Sequence, residues 1–470
     1  MIQKTAKKNE RKKGVFSNGS PAVTLTLGAA LLLAGSAFSR ARASNSDWVS
    51  ALVSATPSVT PSATPSVTPK PPVHPYVQRE LTIRDVVPST PVKDQGGVGF
   101  CWAYATCGQI EALRDGQSVD LSEEWVGFWA LYEQLLELAP TYFEKEIRRV
   151  EVKKGRPLRN FLKKASAVKK NVLNHLGVQF FLHPTEGAPD MSVGTKIVKK
   201  YGVVPEEVFS YKIVGDPAAT SVEQRIIQFI NGTLRDPEKN SQFKKKDANG
   251  QVLRGDNGKV MPDERALLEA LARVFTLENL DASGPGCKAC DLIEAHDQGF
   301  SYWGQRYHPT EFLEALGFDP DQHETVVVTE SGFDRAVRGV EGALKAGRSV
   351  PIGLILMQGF REAVKGPGLL TPETCGANSP CRSAGGHAVL IVGRTTDASG
   401  KTNGFLIKNS WGYIGLNKAG QSSKGIDSGY QILTLDYLRE TYAPHASAGE
   451  RASGFGWQIE LPGEFARGAR

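Results

Sequence analysis

The chain has 470 residues, 40% of them hydrophobic, with 56 Lys/Arg against 50 Asp/Glu and a formal charge of +6. That length and composition suit a soluble globular protein able to bury one large core or two ordinary ones. Eight of the basic residues but only Glu10 of the acids lie in 1–43; the remainder is therefore close to neutral, and the charge gives no support to nucleic-acid binding.

Residues 1–43 read as an export signal. A basic lead is followed by an apolar run from Val23 to Phe38 and by Ala41-Arg42-Ala43, a small-x-small cleavage pattern before Ser44. The run is short for a span of roughly 20 residues, which favours cleavage and a secreted or cell-envelope protein. An uncleaved signal anchor, holding the chain at a membrane or envelope surface, is the alternative. Residues 44–79 contain the repeat ATPSVTPSATPSVTPKPP, with little to bury and regularly spaced proline, and read as an extended Ser/Thr/Pro-rich linker.

The folded region, 80–470, opens with LTIRDVV from Leu81, the first segment with strand-like alternation. Pro91 to Ile110, PVKDQGGVGFCWAYATCGQI, then places Cys101 after a Gly-rich turn and at the head of a helix predicted to reach Arg114. The partial positive charge of a helix N-terminus favours thiolate over thiol there. Gln95 is expected beside it, with a side-chain N–H where an oxyanion could form. Ala103, Cys107 and Ile110 make one apolar stripe, and Cys107, about 240° around the helix from Cys101, reads as a buried thiol.

Ser122 before Glu123-Glu124-Trp125 reads as a helix cap. Residues 144–170 read as a basic helical face, exposed to solvent or to an anionic surface. SVGTKIVKKYG predicts a helix closed by Gly202, and the charged stretch 232–265 reads as a mobile surface excursion. Cys287-Lys-Ala-Cys290 has no second CxxC, which makes zinc a weak reading; a local disulfide or two structural thiols fit better. Cys375 and Cys381, five residues apart in a Gly/Asn/Ser/Pro loop, are candidates for a second local disulfide, with two free thiols as the alternative. No metal or cofactor is expected.

The last third is β-rich. Ser349–Met357, Gly386–Gly393, Gly404–Lys408 and Gly429–Leu435 read as strands of an antiparallel sheet or open barrel, so the chain is α+β and runs from a helical half to a β half. A thiolate needs a base and the base needs an orienting group. His387, at the head of GGHAVLIVGR, and Asn409, in LIKNSWG at the end of the next strand, can lie side by side in an antiparallel pair. Asn409 can then hold the His387 ring, with Trp411 shielding that hydrogen bond.

PVKDQGGVGFCWAYAT, GGHAVLIVG and LIKNSWG together resemble the active-site segment, histidine strand and Asn-Trp segment of the papain-like cysteine peptidases. The resemblance implies a two-domain fold with Cys101 as nucleophile and His387 as its ion-pair partner. It further implies that Gln95 and the Cys101 N–H form an oxyanion hole, that Asn409 orients His387, and that the substrate is a peptide or protein. Two departures stand out: Val98 occupies the place of a family cysteine, and 286 residues separate Cys101 from His387, which demands about 140 residues of insertion, near 126–180 and 212–340. EGAPDM from Glu186 and YGVVP from Tyr201 are more similar to the bleomycin hydrolase and aminopeptidase C branch. The family's cleft wall there often uses Gly-Gly, where this chain has Gly187-Ala188; the resemblance implies substrate contacts from Gly187, Ala188 and Trp411. A catalytically inactive papain-fold binding protein, and a transpeptidase or amidase using the same site, are the competing readings.

Overall fold

The computed structural model describes residues 81–96, 99–114, 119–144, 191–210, 225–226, 228–276, 287–357, 360–365, 368–375, 383–421, 427–439 and 457–469. All of them fall in one compact unit, Pro71–Arg470. The signal and linker readings, most of the basic run 144–170, Gly187, Ala188 and Cys381 lie outside the described residues.

In chain order the unit begins with strand β1 (Thr82–Arg84), then helices α1 (Cys101–Glu111), α2 (Glu123–Glu144) and α3 (Ser192–Tyr201). Helices α4 (Glu264–Phe275) and α5 (Lys288–Gln298) follow, then the hairpin β2 (Phe300–Tyr302) and β3 (Gln305–Tyr307), and α6 (Pro309–Ala315). The β half comprises β4 (His323–Val327), α7 (Phe333–Lys345), β5 (Val350–Met357), α8 (Phe360–Lys365), β6 (Leu369–Leu370) and β7 (Ser383–Thr396). It closes with β8 (Thr402–Lys408), β9 (Tyr430–Thr434), β10 (Gln458–Pro462) and α9 (Gly463–Ala469).

Among the described residues, eight strands form one sheet in the order β4-β10-β5-β7-β8-β9-β6, with β1 added on β7. Every pairing is antiparallel except β6 with β9. The architecture is therefore α+β, as the sequence implies, with one parallel pair that the pattern did not announce. The spine is β7: its first half pairs with β5 and its second half with β8 and β1, with register shifts near Ile391/Gly393 and Thr395/Thr396.

The sequence of β7 explains that position. A strand turns successive side chains to opposite faces. Val389 and Ile391 enter one apolar core with α7, β5 and β10, while Leu390 and Val392 enter a second with β8 and β9. Ala388 instead joins the helical core around α1. With both faces covered, AVLIV can be continuously apolar.

Helix α1 was expected to bury one stripe. It buries every residue but Tyr104, because α2, α3 and β7 surround it. It ends at Glu111 rather than Arg114. Ser122 caps α2 as expected, its Oγ accepting the Trp125 N–H at 3.1 Å. Phe275 of α4 lies 5.4 Å from Phe128 of α2 and 6.5 Å from Phe100, ring centre to ring centre, while Trp129 stacks on Tyr201 of α3 at 4.2 Å. Gly202 closes α3 at φ +64°, and a Cβ there would lie 2.0 Å from the Pro309 carbonyl carbon.

The stretch 232–265 is largely exposed but regularly folded, with bridges Lys244↔Pro262, Lys246↔Val252 and Arg254↔Val260 around tight turns. Residues 323–340 of the expected insert 212–340 supply β4 and most of α7, which continues to Lys345, to the main sheet and its cover. Cys287 and Cys290 form a disulfide, and Cys107 is a buried free thiol. Among the described residues, no helix is long and apolar enough to cross a membrane.

Candidate active site

The loop leading to α1 is held by the segment that follows β8. The Gln95 N–H donates to the Ser410 carbonyl at 2.7 Å, and the Gly412 N–H donates to the Lys93 carbonyl at 3.2 Å. Asp94 and Trp411 thus face each other in an antiparallel bridge. The Asp94 carboxylate accepts the Gly96 N–H at 2.8 Å, in a turn whose Gly96 has φ +59°. Ser410 Oγ donates to Gln95 Oε1, which orients the buried amide so that its N–H groups are the donors on the other side.

Cys101 is the first residue of α1, after Phe100, and its thiol is buried. Burial pushes the thiol up to about 11, against the pull of backbone N–H groups at Ala388, Trp102 and Cys101 itself. The helix N-terminus favours a thiolate, but in the folded chain desolvation outweighs it, so the thiol needs a base at neutral pH. The Ala388 contact brings β7, one residue beyond His387, onto the sulfur.

His387 stands on β7 opposite Leu354 of β5. Its Nε2 lies 2.8 Å from Asn409 Oδ1. An amide oxygen only accepts, so Nε2 carries the proton and Nδ1 is the basic nitrogen of the neutral ring. Asn409 directly follows β8, and its own N–H donates to the Gly429 carbonyl at 3.1 Å. Trp411 covers the histidine, with ring centres 4.6 Å apart, and Phe360 of α8 stands edge-on to both rings. The structure thus gathers Gln95, Cys101, His387, Asn409 and Trp411 along the contact between α1 and β7; Gly187 and Ala188 lie outside the described residues.

Behind this row runs an ionic network that the sequence reading missed. Lys93 Nζ lies 2.8 Å from Glu123, 2.5 Å from Asp120 and 3.5 Å from Glu111, and donates to the Leu121 carbonyl at 2.7 Å. Burial pulls Lys93 down, but Glu123, Glu111 and Asp120 together hold it well above the ordinary lysine range. Glu111 also accepts from Thr90 Oγ1 and from the Leu121 N–H, and Lys408 Nζ donates to Thr90 at 2.8 Å. Burial holds Lys408 below its ordinary value. The network ties Lys93, two residues before Gln95, to Lys408, one residue before Asn409. The only signal in the sequence was a lysine abutting each apolar motif.

Next to it, Glu123, Glu124 and Glu206 bring carboxylate oxygens within 4.8 Å of one another, the one group among the described residues with the spacing of a metal site. Burial, then the neighbouring Glu206, pushes Glu124 up to about 7.

No family model matches the chain, and no curated protein matches it in sequence. Solved structures similar to it include PepW from Lactobacillus rhamnosis HN001, at 14% identity and TM-score 0.43, covering 83% of this chain and 82% of that one. Xylellain, a cysteine protease from Xylella fastidiosa, is similar at 14% identity and TM-score 0.34, covering 82% and 86%. The proform of Amb a 11, a ragweed pollen cysteine protease, is similar at 16% identity and TM-score 0.30, covering 82% and 67%.

Proposed function

We propose that this chain is a cysteine peptidase of papain-like type. The observation that carries the reading is the buried His387 Nε2 to Asn409 Oδ1 bond of 2.8 Å, on a strand whose next residue touches the Cys101 thiol. In the proposed reaction His387 Nδ1 takes the proton of Cys101 as the sulfur attacks a peptide carbonyl. The resulting imidazolium is held by the Asn409 oxygen. The Gln95 amide and the Cys101 N–H stabilise the developing oxyanion, a role worth about 10²–10³ in rate for one donor. His387 then protonates the leaving amine, and water resolves the thioester.

A peptide-library cleavage profile of the chain, with Cys101→Ala as control, tests this. Hydrolysis and labelling by a thiol-directed epoxide should both vanish in the variant. Unchanged hydrolysis by Cys101→Ala overturns the reading.

A further inference from the structure

The Cys287–Cys290 disulfide takes no part in the peptidase chemistry, and its setting is unlike that of a simple staple. Cys287 is the N-cap of α5, and its Sγ accepts the backbone N–H of Cys290 at 3.1 Å. One sulfur of the bond therefore sits in the partial positive charge at the head of an eleven-residue helix. Its neighbours Ala289 and Leu292 are buried in the helical core, which fixes the turn. The two sulfurs differ in access: Cys287 is 5% exposed, whereas Cys290 is half-buried. Crosslinking residues only three apart removes less freedom from the unfolded chain than a long loop does, so stabilisation alone is a weak reason for the bond.

Exchange chemistry uses these features directly. A disulfide opens faster when the departing sulfur is a stabilised thiolate and the attacked sulfur is accessible. The helix N-terminus and the Cys290 N–H stabilise Cys287 as the leaving group, and the exposure gradient directs attack to Cys290. We propose that Cys287–Cys290 is a thiol–disulfide exchange site that takes a small-molecule monothiol, with Cys290 the attacked sulfur and Cys287 the departing one.

A thiolate RS⁻ bonds to Cys290 Sγ, the Cys287–Cys290 bond breaks, and its electron pair leaves on Cys287. A second RS⁻ attacks the R sulfur of the mixed disulfide, releasing RSSR and the Cys290 thiolate. Both protein thiolates take protons from water, so the protein gains two electrons and two monothiols are oxidised.

The test uses glutathione as the probe and the full chain in a Cys101→Ala background, read by alkylation and peptide mass, so it does not depend on peptidase activity. Under native conditions excess reduced glutathione should open Cys287–Cys290 within minutes. With oxidised glutathione, Cys287→Ser should trap one glutathione on Cys290 at least tenfold faster than Cys290→Ser traps one on Cys287. A bond that stays closed until the chain is unfolded, or equal trapping by the two variants, overturns the proposal. The native reduction rate of the unsubstituted pair decides the matter even where a variant fails to fold.

Discussion

Replacing Asn409 with alanine removes the 2.8 Å acceptor from His387 Nε2 in a place where water offers little substitute, since His387 is 2% and Asn409 1% exposed. Hydrogen bonds to a charged group contribute about 1.5–3 kcal/mol, and the bond matters most when His387 is the imidazolium. That range corresponds to a loss of about 10- to 150-fold in rate. The assay is the second-order rate of Cys101 alkylation by iodoacetamide as a function of pH, which needs no knowledge of the substrate. At neutral pH, where the thiol depends on His387 to lose its proton, Asn409→Ala should react 10- to 150-fold more slowly. As pH approaches the thiol's own value of about 11, the sulfur ionises without help and the two curves should converge. Superimposed curves from pH 5 to 9, in a variant that unfolds at the same denaturant concentration as the parent, would refute the reasoning.

Lys93→Met should destabilise the fold by about 3–5 kcal/mol in denaturant unfolding, because the Glu111 carboxylate, pushed up by burial but held below its ordinary value by Lys93 and Lys408, loses one of its cations. Adding Glu111→Gln should recover part of that loss. Glu124 carries a folded value raised from 4.5 to about 7, so its contribution is fully present below pH 4.5 and is lost as pH rises through about 7. Glu124→Gln should therefore match the parent near pH 4 and exceed it by about 3 kcal/mol at pH 8.5, measured by unfolding at both values. Gly202→Ala should cost at least about 1–2 kcal/mol from its left-handed backbone, with the approach to Pro309 adding to it, and should lower the melting temperature. On the proposal that residues 1–43 direct export, the N-terminus of the exported chain should read Ser44; an intact N-terminus at the cell surface would favour the anchor instead.

The β half was legible where strands are buried on both faces. The apolar run Ala388 to Val392 announces β7, and the neighbouring runs announce β5, β8 and β9. β10 escaped notice because it carries polar residues paired across the fold: Glu460 is buried and accepts from Thr195, and Gln458 accepts the Met191 N–H at 3.0 Å; β4 buries only Val326 and so shows no apolar run. A polar residue satisfied by a partner 265 residues away leaves no periodic mark in a local window. The same limit hid the Lys93 network, whose members come from four separate segments. Cys101 and His387 could be picked out as residue types, but the thiol's ionisation could not. It turns on how completely α2, α3 and β7 enclose the head of α1, and a count of local charges cannot supply that.

One feature of the topology also sets a clock. The strand that carries His387 is made 286 residues after Cys101, and β1, the first described element, pairs with the far end of that same strand. At a synthesis rate of about 5–20 residues per second, the helix headed by Cys101 waits roughly 15–60 s before His387 exists. On the peptidase reading proposed above, the thiol has no base throughout that interval, and a chain built in this order is inactive while it is still being made.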